Sequence, residues 1–308
     1  MKLDTKINKE HSCDCSVIIP AYNASKYISR TIDSVLAQTL QPLEIIVVDD
    51  KSTDNTVSIV KELSCFKDGF LKLVKSETNG GPARTRNAGV NIASGCYLAF
   101  LDSDDSWYPK KLEIAMNYFP KADIVYHDLE IYTSKSEKPL KRIRTRKLSS
   151  SPFVDLMTNG NALSNSSVVV KKEIVNSVGG LNEDRSLFAV EDFDLWLKIS
   201  RVTNKFVYIP MSLGKYWMGD ANISEISENQ LVREKTLSEK HISFLNSEDR
   251  KEHELFLSYI TGRLKQKMGR YSDALKLFKA SCRSRSWNLK LKSACHIMTI
   301  HIQRIKNI

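Results

Sequence analysis

Short apolar runs that end in carboxylates recur through the first third of this 308-residue chain. Leu43-Glu44-Ile45-Ile46-Val47-Val48 stops at Asp49-Asp50, and Tyr97-Leu98-Ala99-Phe100-Leu101 stops at Asp102-Ser103-Asp104-Asp105. Such runs lack the alternation of a half-exposed strand and read as strands buried on both faces. Cys15-Ser16-Val17-Ile18-Ile19 is another, stopped by Pro20, which cannot continue a ladder. Leu71–Val74 and Asp123–Tyr126 add two more. Helical patterns lie between them: Ile28, Ile32, Val35 and Leu36 on one face, then Ser52-Thr53-Asp54 capping a helix through Leu63. Asn79-Gly80-Gly81-Pro82 turns into a helix carrying Arg84, Arg86 and Asn87, and a further helix starts at Pro109. Strands alternating with helices predict βαβ units and a mostly parallel sheet. Right-handed crossovers then place the C-terminal strand ends along one edge, where open α/β sheets bind ligands. Tyr22, Asp50 and Asp102 are expected to meet there.

Three acids within four residues at 102–105 repel one another unless a cation or hydrogen-bond donors hold them. Hard divalent ions such as Mg²⁺ or Mn²⁺ take carboxylates together with the oxygens of a bound diphosphate. The residues alone also fit capping of the helix that follows, and that is the role expected of Asp105. Capping is also the reading for Glu191-Asp192, which open a helical pattern through Ile199, where the macrodipole favours acids.

The rest of the chain is less regular. Residues 1–14 are expected to be a flexible leader with no apolar signal segment. Thr133–Lys147 is polar and basic without periodicity and is expected to be a mobile surface loop. Gly179-Gly180-Leu181 reads as a turn, and Lys205–Ile209 and Lys215–Met218 as strands. Six scattered cysteines with no Cys-x-x-Cys pair read as free thiols. From about Ser224 the sequence is charged and helical, and Gly269–Phe278 resembles the second helix of a tetratricopeptide unit. Only one such unit is recognisable, so a helical hairpin is expected. No run approaches the ~20 apolar residues of a membrane-spanning helix.

The net charge of +10 is unevenly placed. From Thr261 onward twelve Lys or Arg face a single acid, Asp273, so the excess belongs to this segment. A solvated helical face is one reading of it. Peripheral contact with anionic lipid is another, with basic residues contributing about 1 kcal/mol each.

Taken together, Ser16–Asn23, Ile46–Asp54, Asn79–Pro82, Arg86-Asn87-Ala88-Gly89, Phe100–Asp105, Gly179-Gly180-Leu181 and Glu191–Trp196 follow the motif order of family 2 glycosyltransferases. The resemblance covers roughly residues 15–220. It implies a GT-A fold, that is, a Rossmann-like α/β catalytic domain with a mostly parallel central sheet, here over 15–222. The α-helical C-terminal extension would occupy 223–308. It further implies a nucleotide-sugar donor, a divalent metal (Mn²⁺ or Mg²⁺) and inversion at the anomeric carbon. Carried onto this sequence, the resemblance implies that Pro20, Tyr22 and Asn23 form the first nucleotide-binding loop. Asp50 stands where the base is recognised and Arg86 beside the nucleotide. Asp102-Ser103-Asp104 matches the Asp-x-Asp motif, with Asp102 toward the ribose and metal and Asp104 the direct metal ligand. Asp192 matches the general base. Two positions depart from the pattern: Thr85 replaces a common alanine, and Tyr216-Trp217-Met218-Gly219 stands where relatives carry an arginine and a histidine.

These features lead to the expectation of an inverting hexosyltransferase. It would move a hexose or N-acetylhexosamine from a UDP-sugar, of UDP-glucose or UDP-galactose type, to a lipid-diphosphate-linked glycan. The product would be a surface polysaccharide such as O-antigen or capsule, made on the cytoplasmic side of the plasma membrane. A protein or teichoic-acid glycosyltransferase of the same fold, and a nucleotide-sugar-binding scaffold without catalysis, are the alternatives. Nothing in the sequence resembles a nucleic-acid recognition module.

Overall fold

The computed structural model describes residues 12–134, 136–143, 145–219 and 227–306. The expected leader lies outside the described residues up to position 11. The chain forms two compact units, Met1–Ser150 with Ala162–Asn222, and Ser151–Asn161 with Ile223–Ile308. Residues 151–161, inside the range read as catalytic domain, therefore belong to the second unit.

The first unit is built on one sheet. Its first half comes from β1 (Cys15–Ala21), β2 (Glu44–Asp49), β3 (Leu71–Lys75) and β4 (Tyr97–Phe100), ordered β3-β2-β1-β4 and all parallel. Val17 and Ile19 of β1 and Ile45 and Val47 of β2 pack with Ile28, Ile32 and Val35 of helix α1 (Ile28–Leu36) in one core layer. The short helices α2 (Thr56–Glu62) and α3 (Ser64–Lys67) add Val60 and Cys65 to it. On the opposite face lies α4 (Pro82–Ile92), brought close by Gly89. A Cβ there would stand 2.6 Å from Ile18 Cγ2 and 3.4 Å from Val48 Cγ2.

Beyond β4 the sheet is mixed. It continues through β5 (Ser106–Trp107), helix α5 (Lys111–Met116), β6 (Ile124–Thr133) and β7 (Ser136–Ile143). After the helix α6 (Pro152–Asn159), which lies in the second unit, come β8 (Val169–Lys171), α7 (Lys172–Ser177), α8 (Glu191–Ile199) and β9 (Phe206–Trp217). The order runs β4-β8-β6-β9-β5, with β7 off the path on β6. Pairing is antiparallel at β4–β8, β8–β6 and β9–β5, and parallel at β6–β9.

Two expectations need correction. Thr133–Lys147 is not a loop: β7 pairs antiparallel with β6 from Thr133↔Ser136 to Leu129↔Ile143. Its charged side chains suit an edge strand, where lysines discourage further pairing, and they hide the alternation. The two strands expected over 205–218 are one strand, β9, that follows β6 through register shifts.

At the start of α5, Lys111 is fully buried, with its Nζ 3.6 Å from the centroid of the Trp107 ring. All six cysteines are free.

The second unit is helical: α6, α9 (Glu228–His241), α10 (Ser247–Lys267), α11 (Tyr271–Ser281) and α12 (Trp287–Lys306). Tyr259, Ala274, Leu275, Phe278, Leu289 and Ile300 form its core. Helices α10 and α11 make the expected hairpin, crossing where Gly262 faces the Phe278 ring. α6 is tied in through the Met157 carbonyl, 2.6 Å from His253 Nδ1, and through Phe153 against Phe244. Among the described residues no helix is long and apolar enough to cross a membrane.

Candidate active site

Because β1, β2 and β4 are neighbours and parallel, the segments after their C-terminal ends meet at one edge of the first unit. After Pro20, at the half-buried end of β1, Tyr22 is 52% exposed. Asn23 takes a left-handed φ of +49°. Its Oδ1 accepts from the Thr53 N–H at 2.8 Å, and its own N–H donates to Ser52 Oγ at 2.9 Å. Asp54 locks the same two loops, accepting from the N–H groups of Ser25 and Thr56, each at 3.0 Å. Desolvation opposes its charge, yet the hydrogen bonds from Thr56 and Ser25 hold its carboxyl down at about 2.

Asp50 is buried, and both of its oxygens are engaged by backbone. Gly80 N–H donates to Oδ1 and Gly81 N–H to Oδ2, each at 2.8 Å. Its position thus fixes the Asn79–Pro82 turn that launches α4, with Gly81 at φ +83°. In this structure the carboxylate anchors that loop beside the end of β2, at the position to which the resemblance assigns the base.

The acidic loop after β4 is held by its backbone. Thr31 Oγ1 donates to the carbonyls of Ser103 and Asp105, each at 2.8 Å, and Arg30 Nη2 to that of Asp104 at 2.6 Å. The Asp102 N–H donates to Ser166 Oγ at 3.1 Å. Asp102 Oδ1 accepts from Arg86 Nη2 at 2.6 Å and from Asn165 Nδ2 at 2.9 Å. Burial, and then the neighbouring Asp102 charge, push the Asp104 carboxyl up to about 6.

Asp105 is not a helix cap. α5 begins only at Lys111, and Asp105 is buried with its Oδ1 accepting from the Trp217 N–H at 2.8 Å. It joins the acidic loop to the end of β9, and burial raises its carboxyl well above the usual range.

Arg86, on α4 and 5% exposed, carries the connection further. Its Nη2 meets Asp102 and its Nη1 meets Glu191 Oε1 at 2.7 Å. Burial opposes the guanidinium charge, and Asp102 and Glu191 more than restore it. The acidic loop and the first turn of α8 are therefore joined through one buried arginine. Both Glu191 and Asp192 lie in that turn, after Ala189 at a left-handed φ of +66°. Glu191 is buried with Oε1 committed to Arg86. Asp192 is only partly buried, and its Oδ1 accepts from the Phe193 N–H at 2.7 Å. Burial, followed by the charge of Glu191, pushes its carboxyl up to about 7, against the pull of Arg86.

The loop before α8 is tied to α4 as well. Asn87 donates to the Leu181 carbonyl at 2.9 Å and to Glu183 Oε1 at 2.8 Å. A rim residue unremarked in the sequence is Arg30, whose guanidinium lies 4.6 Å from the Trp217 ring centroid. Tyr27 lies 5.7 Å from the same ring. Gly219, at the departing position, has among the described residues only Trp217 close to where a Cβ would stand.

Among the described residues no three His, Cys, Asp or Glu side chains converge as a ready-made metal cage. The donor set still suits a hard cation. Asp104 and Asp102 repel each other across the loop, and the hydrogen bonds to Asp102 described above fall on Oδ1. A hard ion bound by one or two carboxylates commonly completes its shell with diphosphate and water.

A family model described as "Glycosyl transferase family 2" matches residues 16–175. The chain is 33% identical over 227 residues to the Escherichia coli UDP-Glc:alpha-D-GlcNAc-diphosphoundecaprenol beta-1,3-glucosyltransferase WfgD, covering 71% of this chain and 83% of that protein. Three further bacterial relatives, 36%, 36% and 38% identical, are matched over 67%, 59% and 46% of their own lengths. Among solved structures, S. aureus TarS 1-349 in complex with UDP-GlcNAc superposes with a TM-score of 0.63 at 18% identity, covering 95% of this chain and 92% of that one. The Pyrobaculum calidifontis mannosyltransferase PcManGT in complex with GDP-Man and Mn2+ gives 0.60 at 17% identity, over 95% of this chain and 81% of that one. These likenesses establish the GT-A fold of the first unit.

Proposed function

The chain belongs to glycosyl transferase family 2 and is a glycosyltransferase, and we propose that it moves a hexose or N-acetylhexosamine from a UDP-sugar to a lipid-diphosphate-linked glycan, with inversion. The observation that carries this reading is the Asp102–Arg86–Glu191 bridge, which holds the acidic loop and the first turn of α8 together while leaving Asp192 partly open. In the proposed reaction Asp192 accepts the proton of an acceptor hydroxyl, whose oxygen attacks the anomeric carbon opposite the leaving group. The bond from that carbon to the diphosphate oxygen breaks, and UDP departs with the bonding pair. Glu191 suits this role less well, because one of its oxygens is held by Arg86 in a buried pair.

Asp104 and Asp102 would hold Mn²⁺ or Mg²⁺, which when bound neutralises charge on the diphosphate as a Lewis acid. Tyr22 and Asn23, with the loop that Asp54 locks, would receive the nucleotide, and Pro20 ends the strand that presents them. Ser103 would contribute to the same nucleotide surface, and Asp50 and Arg86 would position the loops around it. The lipid-linked acceptor and a UDP-glucose-type donor are supported by the activity named for the Escherichia coli relative. An acceptor of that kind would keep the enzyme at the inner face of the plasma membrane.

The test is UDP release from a panel of UDP-sugars with Mn²⁺, Mg²⁺ or EDTA, and GDP-mannose as the competing donor class. Slow hydrolysis of one UDP-sugar, lost with EDTA and with Asp104→Ala, is the expected result. Hydrolysis of GDP-mannose alone, or absence of UDP binding by calorimetry with metal present, would overturn the donor assignment.

A further inference from the structure

Helix α12 carries two apolar stripes. Leu289 and Ile300 are buried in the core of the second unit, together with Tyr259 and Phe278, and Ser293 on the same side is buried as well. Trp287, Leu291, Met298 and Ile302 are between 54 and 76% exposed. At about 100° per residue these four fall on a single face, roughly opposite the buried one. A surface helix ordinarily presents polar residues there.

The surrounding charge identifies what this face fits. Lys290 and Lys292 flank the exposed stripe, each about a quarter turn from its centre. The segment from Thr261 onward has twelve basic residues and one acid. A second copy brought to this face would set two strongly cationic segments against each other. An anionic bilayer offers complementary charge to the flanks and an apolar layer to the stripe. Trp287 stands at the helix start, and an indole with its apolar body and N–H donor favours the headgroup boundary.

We propose that this face of α12 lies in the plane of an anionic lipid surface, with Trp287, Leu291, Met298 and Ile302 entering the headgroup boundary. The inference deepens the lipid-linked-acceptor reading by naming the surface that meets the membrane. Its test uses neither donor nor acceptor, so it fails or succeeds independently of the transfer assays.

The full chain is sedimented with vesicles of phosphatidylcholine and phosphatidylglycerol, and with phosphatidylcholine alone. Binding to the anionic vesicles is expected, weakened by salt. The Leu291→Glu/Met298→Glu variant should bind about tenfold or more weakly at an unchanged melting temperature, since both side chains are exposed. The fluorescence blue shift on binding should be lost in Trp287→Phe. Three outcomes overturn the proposal: wild-type protein left in the supernatant at low salt, equal binding by the double variant, or a dimer that the double variant dissolves.

Discussion

A carboxyl that must collect a proton near neutrality has to be kept from ionising too easily, and Asp192 has the surroundings for that. It is partly buried beside Glu191, and its carboxyl is pushed up to about 7. A base works only when deprotonated, so kcat/KM should rise as pH climbs through about 7 and level off above it. Glu191→Gln removes the like charge while retaining an acceptor for Arg86, and should move that rise to lower pH. Asp192→Asn should lower kcat by about 10²- to 10⁴-fold with UDP binding retained, as measured by turnover and calorimetry. Asp102 and Asp104 stand out in the sequence because they follow an apolar run, whereas Asp192, in a helix's first turn where the macrodipole favours acids, is singled out only by the motif resemblance. What the sequence did not reveal was which acids were already occupied. Asp50 and Asp105 carry the same kind of signal, yet they bind the backbone of Gly80, Gly81 and Trp217. Those partners are separated by 30, 31 and 112 residues and have no signature of their own.

At the scale of elements, placement of α4 decides whether Arg86 reaches both of its carboxylates. Gly89 permits that placement, since a methyl group there would fall 2.6 Å from Ile18 Cγ2. Gly89→Ala should destabilise the protein by about 1–3 kcal/mol and lower kcat together, read by thermal melting and UDP release. α5 supplies a different test. Lys111 is fully buried over Trp107, facing Cys13, Cys15 and His127, and burial pushes its ammonium down to about 7. Between that value and the ordinary 10.5 the folded state holds fewer protons than the unfolded one, so stability should rise with pH across this window. Lys111→Met should flatten the rise and stabilise the protein at pH 7 by roughly 2 to 4 kcal/mol, as seen in denaturant melts at several pH values. Strands β1, β2 and β4 of the parallel half were readable because strands buried on both faces are apolar almost throughout. β7 escaped because an edge strand such as Ser136–Ile143 needs no apolar face, and β9 was split in two because its register shifts against β6 interrupt the pattern.

The whole molecule consists of two units, each with its own apolar core. UDP with Mn²⁺ should raise the calorimetric transition of the first unit by mass action, and Asp104→Ala should erase the shift. The order of β1 to β4 and the helices between them could be read from the sequence. The membership of α6 could not, because an amphipathic eight-residue helix does not announce which core its Phe153, Leu156 and Met157 will join. That membership has a consequence for how the protein is made. Met157 finds its partner His253 only 96 residues later. A ribosome adding about 5–20 residues per second delivers that partner roughly 5–20 s after α6 has been synthesised. Through that interval α6 lacks the helices that bury it, while the rest of the first unit's sequence is still being produced. A gene fragment starting at residue 223 would omit α6 altogether, so the second unit is expressed intact only when residues 151–161 are supplied, in the same chain or as a separate peptide.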